Sequence, residues 1–330
     1  MKKLIALILS VLSLATCFAF SGCKAPTPQT LTFVAPDGAP ALAIAQMIKE
    51  NATFETGKTV NYKIVKPADI GAQMMTGSAD IMIMPVNAAS KLYKANTSDP
   101  YKMAGVVTHG NLYVLSKTPL TVNDLKDKVV GVISQGAVPD LTFRAVLNKT
   151  QIAYETSDTI VANKVAIKYY GDASNLVPAL RTEEIEIGLL PEPAASKLQK
   201  LNTAYQYRLD VQQLYNGTTS AYPQAVLMIK SSVLSAHPEI VNNIVNWLVA
   251  NATWIKTNTV DAVNAVSSAV VEGVTPSLSA NDITSSVIDN CKIYWQPAYD
   301  AKEEVINYLA DFRALAPQSA GAVADDFFIL

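Results

Sequence analysis

The chain holds few side chains of versatile chemistry. Two histidines (His109, His237), three cysteines (Cys17, Cys23, Cys291) and four arginines (Arg144, Arg181, Arg208, Arg313) occur in 330 residues. Neither a zinc cluster nor a disulfide framework can be built from that stock, and no metal site is expected. The patterns G-x-S-x-G, H-E-x-x-H and G-x-G-x-x-G do not occur. Neither histidine has a convincing triad partner in sequence, so no catalytic residue is expected. What remains is recognition chemistry, concentrated in four short turns.

Asp37-Gly38-Ala39 follows an apolar run. Gly38 permits an unusual φ or a close ligand approach, and Asp37 can accept from a ligand amine or cap the next helix. Pro85-Val86-Asn87-Ala88 follows the run Asp80–Met84. Asn87 carries donors and acceptors suited to a heterocycle or carboxamide, and is equally a good N-cap. In Gln135-Gly136-Ala137-Val138 small residues let a ligand reach the amides of a helix start, or simply mark a turn. Gly131 and Gly136 have P-loop spacing, but Ala137-Val138 stand where Lys-Ser/Thr is required, so nucleotide binding is not expected. Glu192, between Pro191 and Pro193, can meet a cationic or N–H-bearing ligand or stabilise the following helix. His109, beside Gly110 and Asn111, is either a ligand contact or a structural histidine. Cys291, near Tyr294 and Trp295, reads as core.

These turns must be held by strands and helices in alternation. Strands are expected at Leu31–Ala35, Tyr62–Val65, Asp80–Met84, Met103–Thr108 and Leu112–Leu115, with helices at Ala41–Glu50, Ala68–Thr76 and from Asn87. The pattern restarts after Lys117, with strands at Val129–Ile133, Val165–Tyr169, Ile185–Leu190 and Tyr205–Leu209 and helices at Asp140–Asn148, Ala173–Arg181 and Pro193–Gln199. Such alternation argues α/β with a mostly parallel sheet in each unit. After a return strand at Ala225–Ile229 the rest reads as helices: Pro238–Thr257, Val260–Val271, Asn281–Cys291 and Ala298–Leu315. The expected organisation is residues 31–115 and 219–330 in one lobe and 116–218 in the other. All four turns close strands at the carboxyl end, where open α/β sheets bind ligands.

Hydrophobic residues make up 50% and charged residues 16% of the chain, which excludes whole-chain disorder. The net charge of -2 gives no basic excess for nucleic acid. Lys2 and Lys3 precede the apolar run Leu4–Phe20, which reads as a secretory signal over residues 1–22. Phe20-Ser21-Gly22-Cys23 resembles the bacterial lipobox, with Phe20 at the usual leucine position. The resemblance implies a lipid on Cys23. The alternative is an ordinary signal peptide with an incidental cysteine. Residues 23–30 would then be a polar, proline-containing tether.

Taken together, Ala35-Pro-Asp-Gly-Ala-Pro40, Met84-Pro-Val-Asn-Ala-Ala89, Lys128-Val-Val-Gly-Val-Ile-Ser-Gln-Gly136 and Leu189-Leu-Pro-Glu-Pro-Ala194 resemble the solute-binding lipoproteins of ABC importers. The narrower similarity is to the nitrate/sulfonate/taurine and thiamine-precursor group. It implies a two-lobed periplasmic-binding-protein fold of the second type, its helical C-terminal segment on the first lobe, and a ligand cleft at the hinge. It also implies a monomer on the extracytoplasmic face of the cell membrane, partnered by a permease and an ATPase, with no cofactor. No arginine lies in the four turns, which leans the ligand toward a nitrogen heterocycle such as a thiamine-type pyrimidine. A small anion (sulfonate, taurine, nitrate) is the alternative. A further one is an enzyme of the same fold acting on a pyrimidine or menaquinone precursor, against which the export signal argues.

Overall fold

The structure is a computed structural model and describes residues 30–217 and 222–330. The expected signal segment 1–22, Cys23 and residues 24–29 of the expected tether lie outside the described residues, as does the expected return boundary at 218/219, while Thr30, expected to end the tether, opens the first strand.

The chain first lays down β1 (Thr30–Pro36), α1 (Ala39–Leu42), α2 (Ala45–Lys49), β2 (Thr59–Val65), α3 (Ile70–Met75), β3 (Ile81–Pro85), α4 (Val86–Leu92) and β4 (Tyr101–His109). It then crosses to β5 (Leu112–Ser116), β6 (Lys128–Ile133), α5 (Val138–Lys149), β7 (Tyr154–Thr156), β8 (Val165–Tyr170), α6 (Ala173–Arg181), β9 (Ile187–Pro191), α7 (Ala194–Leu201), β10 (Tyr207–Asp210) and α8 (Val211–Asn216). It returns with β11 (Pro223–Lys230), α9 (Ser231–Ala236), α10 (Ile240–Thr257), α11 (Thr259–Ser268), α12 (Ser285–Asn290), β12 (Ile293–Pro297) and α13 (Ala298–Leu315).

Two six-stranded sheets result, ordered β12-β4-β11-β3-β1-β2 and β10-β5-β9-β6-β8-β7. Each is mixed. β1, β2 and β3 run parallel, as do β6, β7, β8 and β9, while β11, β12, β5 and β10 pair antiparallel to their neighbours. β3, the run IMIMP, is buried through its first four residues, as a strand covered on both faces must be. β5 pairs in the second sheet, so the first crossing falls at Gly110–Asn111, ahead of the expected 115/116.

Three expectations need correcting. The segment after β11 is not wholly helical, because β12 adds an edge strand antiparallel to β4. It fits only because Gly105 has no side chain: a Cβ there would sit 2.4 Å from the Gln296 carbonyl oxygen and from the Trp295 ring. The helix expected over Ala41–Glu50 is two short ones, and that expected over Pro238–Thr257 begins at Ile240. α13 packs on the first sheet, as expected, and also reaches the second. Its Val305, Tyr308, Leu309 and Phe312, at i, i+3, i+4 and i+7, share one buried cluster with Val138 and Leu141 of α5 and with Val106 of β4. Thr142 and Tyr308 also share a hydrogen bond of 2.5 Å. α13 is therefore the apolar joint between the two sheets.

Candidate functional site

The β1–α1 turn is held from within. Asp37 accepts from the Gly38 amide at 2.9 Å and from the Ser277 amide at 2.7 Å, so it ties down the loop before α12. Gly38 sits at φ 110, a region open to glycine and strained for other residues. Ala39 is buried at the start of the four-residue α1. Lys197 of α7 donates to the Ser277 carbonyl at 3.4 Å, and Lys200 pairs with Asp282 at 3.1 Å. The same loop thus touches both lobes.

At the β3–α4 turn, Pro85 is the N-cap, Val86 is buried and Ala88 half-buried. Asn87 does not cap. Its Nδ2 donates to the Ser319 carbonyl at 3.0 Å and across the lobes to the Gly136 carbonyl at 3.4 Å. Opposite it, Gln135 and Gly136 are exposed, Ala137 is half-buried and Val138 is buried. The Gly136 amide donates to Asp140 at 2.8 Å, and Asp140, fully buried, also accepts from Tyr169 at 2.8 Å. These two turns are brought together.

Glu192 is 1% exposed. Its carboxylate accepts from the Ser196 amide at 3.1 Å and hydroxyl at 2.9 Å and pairs with Arg208, which sequence reasoning left outside the site. The helix-stabilising role is the one its contacts display. Its backbone joins the crossing: the Glu192 amide donates to the Asn111 carbonyl at 2.9 Å, and Asn111 Nδ2 reaches the Glu192 carbonyl at 3.4 Å.

His109 is fully buried, stacked on Tyr294 with ring centroids 3.6 Å apart, and its Nε2 lies 3.1 Å from Gln296 Oε1. Burial lowers its pKa to about 4, against the opposing pull of the Gln296 bond, so the ring is neutral at physiological pH. Cys291 is buried core, its thiol pushed well up by burial.

Sequence reasoning missed the residues around His109. Gln224 stands at a bulge, since Pro223 is opposite His109 and Ala225 opposite Thr108. Its Nε2 donates to Asn111 Oδ1 at 3.0 Å. A polar residue opening an otherwise apolar strand was the available signal. Five buried side-chain atoms at these strand ends and crossings have no hydrogen-bond partner among the described residues: Asn87 Oδ1, Thr108 Oγ1, His109 Nδ1, Gln212 Nε2 and Gln224 Oε1. Buried polar atoms are normally paired, so this concentration makes the strand ends the candidate recognition surface. A cavity of about 700 Å³ is lined by Tyr215, Tyr222, Pro223, Glu304, Tyr308 and Asp311 among others. None of the turn residues lines that cavity. Among the described residues no group of His, Cys, Asp or Glu side chains could hold a metal ion.

Solved structures share this architecture. An ABC transporter protein from Parabacteroides distasonis superposes with a TM-score of 0.73 at 20% identity, covering 92% of this chain and 99% of that one. The periplasmic aliphatic sulphonate binding protein SsuA from Escherichia coli gives 0.64 at 12% identity, covering 91% and 96%. The ligand-binding component of an ABC-type import system from Staphylococcus aureus, with zinc bound, gives 0.61 at 11% identity, covering 92% and 96%. The chain has the two-lobed periplasmic-binding-protein fold of the second type. Its structural neighbours include ABC-transporter binding proteins, alkanesulfonate binders among them. No protein-family model and no curated protein matches the sequence. Among the described residues no helix is long and apolar enough to cross a membrane.

Proposed function

We propose that this chain is the extracytoplasmic solute-binding component of an ABC importer, which closes two lobes on one small molecule and presents it to a permease driven by an ATPase. One observation carries the reading: the strand-end turns of the two lobes meet, Asn87 of one donating to Gly136 of the other, beside a floor of unpartnered buried polar atoms. Hinge closure needs that arrangement and no covalent chemistry.

A nitrogen-bearing heterocycle such as a thiamine-type pyrimidine fits the floor best. Arg208, at the Glu192 turn, is engaged by Glu192, Ser196 and Gln199, and Arg144, behind the Gly136 turn, by Asp140 and Tyr154, so neither is free to clamp an anion. A sulfonate or similar small anion is the second reading, favoured by the alkanesulfonate-binding neighbours. A thermal-shift screen against small metabolites tests the receptor role. A ligand at a hundred times its Kd adds about 2.7 kcal/mol of stability, and a flat response across the screen overturns the proposal.

Anchoring through Cys23 completes the reading, since diacylation gives the stable attachment that a single chain does not. Cys23→Ser should move the protein from the membrane fraction to the medium. Wild-type protein secreted with an unmodified Cys23 would refute the anchor and leave the binding role standing.

A further inference from the structure

Residues 271–284, between α11 and α12, form neither helix nor strand, yet they are fastened along their length. They start beside the carboxyl end of β2, where the Ile64 amide donates to the Ala269 carbonyl at 2.8 Å and the Val271 amide to the Ile64 carbonyl at 3.0 Å. They then pass the end of β1, where the Ser277 amide donates to Asp37 at 2.7 Å. Leu278 and Ile283 are buried in the cluster that holds Ala39 and Leu42 of α1. The segment is thus a strap fixed to the first lobe and drawn along its strand ends, on the side where the turns of the two lobes face.

The polar groups of the strap are held by the other lobe. Lys197 of α7 donates to the Ser277 carbonyl at 3.4 Å. Lys200 donates to the Asn281 carbonyl at 2.6 Å and pairs with Asp282 at 3.1 Å. The two lysines stand at i and i+3, so they are neighbours on one helix face. Asp37 and Glu192 bond within their own lobes, so here it is the strap that reaches across. The Asn87 bond to Gly136 spans the lobes at the other pair of turns. Parting the lobes about a hinge must break the strap contacts, whereas the joint through Val305, Leu309 and Phe312 of α13 is apolar.

We propose that residues 271–284 are a charge-held latch: the two α7 lysines draw the strap against the second lobe, so the closed cleft is favoured at low ionic strength and released by salt. This rests on the receptor reading above, and names the segment and the charges that set closure. The Lys200 side chain is 54% exposed and that of Asp282 16%, so counterions reach the pair. Screening shortens the reach of such charges from about 30 Å at 0.01 M salt to about 3 Å at 1 M. Exposed contacts of this kind each shift an equilibrium by at most about fivefold, which suits a latch that has to open for every ligand.

Small-angle X-ray scattering of the ligand-free protein reads the opening as a larger radius of gyration. The wild-type radius should rise between about 0.01 M and about 1 M sodium chloride. The double variant Lys197→Met, Lys200→Met should show the high-salt radius throughout, its open-to-closed ratio raised about tenfold at low salt. Asp282→Asn, which keeps the Asn281 carbonyl bond, should fall between the two. Lys149→Met removes an ion pair of 3.0 Å to Asp311 on α13 and should respond to salt as wild type does. A wild-type radius blind to salt overturns the latch, as does a double variant that responds like wild type. Loss of the response in Lys149→Met also overturns it and places the charge control at the joint. None of these results touches the receptor reading, which falls only to a flat metabolite screen.

Discussion

Arg208 on β10 lays its guanidinium against the Glu192 carboxylate at the end of β9 and also donates to Ser196 Oγ at 2.8 Å and to Gln199 Oε1 at 2.7 Å. The Glu192 side chain has no exposed surface, while Arg208 keeps 21% of its own. The asymmetry sets the order of two variants. Arg208→Met leaves a buried carboxylate without its countercharge and should cost about 3–5 kcal/mol of unfolding free energy. Glu192→Gln leaves only a partly hydrated guanidinium and should cost about 1–2 kcal/mol. Urea denaturation of the ligand-free protein measures both, and equal losses would show that the pair does not carry the stability assigned to it.

The turns themselves are legible in the sequence, because each is a glycine, proline or small-residue break between an apolar run and a helical pattern. What they contact is not. Asp37 and Ser277 are 240 positions apart, Asn87 and Ser319 are 232 apart, and no local pattern announces such pairs. β12 is illegible for a related reason. Ile293-Tyr-Trp-Gln-Pro297 is short, lies between helical segments, and becomes a strand only because β4 offers an edge and Gly105 leaves room. Tertiary context decides such a run. His109 stands out in the sequence, but its environment comes from Tyr294 and Gln296 on that unforeseen strand.

Asn87 ties together three segments: α4, the residues after α13 and the α5 turn. On sequence grounds alone, Asn87→Ala should scarcely alter the ligand-free protein. The two hydrogen bonds change that expectation. Removing the amide strands the carbonyl of Ser319, a residue 5% exposed, and should cost about 1–3 kcal/mol. An unchanged melting temperature would mean that the contacts to Ser319 and Gly136 do not persist in solution.

The loop carrying Ser277 is held by the Asp37 carboxylate on one side and by Lys197 and Lys200 on the other. The lysine contacts are exposed, so their direct worth is small, about 0–1 kcal/mol. Their effect should appear in local opening. Asp37→Ala removes the acceptor of the Ser277 amide and should speed hydrogen exchange there by about tenfold, with global stability changed by less than about 1 kcal/mol. Exchange at Ser277 that matches wild type would show that the loop is held elsewhere.

His109 gives the fold a pH dependence whose sign follows from its burial. In the folded chain its pKa is lowered to about 4, whereas an unfolded histidine titrates near its ordinary value of 6.5. Below that value the unfolded chain binds the proton more readily than the folded one. The stabilisation is therefore complete above pH 6.5 and is lost as pH falls toward 4, by about 3 kcal/mol in all. The groups facing the ring act differently. Glu304, linked through Gln296, has its carboxyl raised by burial, so it favours the folded state as pH falls and works against His109. Tyr294, pushed up to about 12, does not titrate in this window. His109→Phe isolates the histidine's share, because it keeps an aromatic ring on Tyr294 and removes the titrating group. Unfolding free energy measured from pH 7 to pH 4 should fall less steeply in the variant than in wild type. Parallel curves would place the acid sensitivity elsewhere and would mean that His109 is more accessible to protons than its packing against Tyr294 and Gln296 allows.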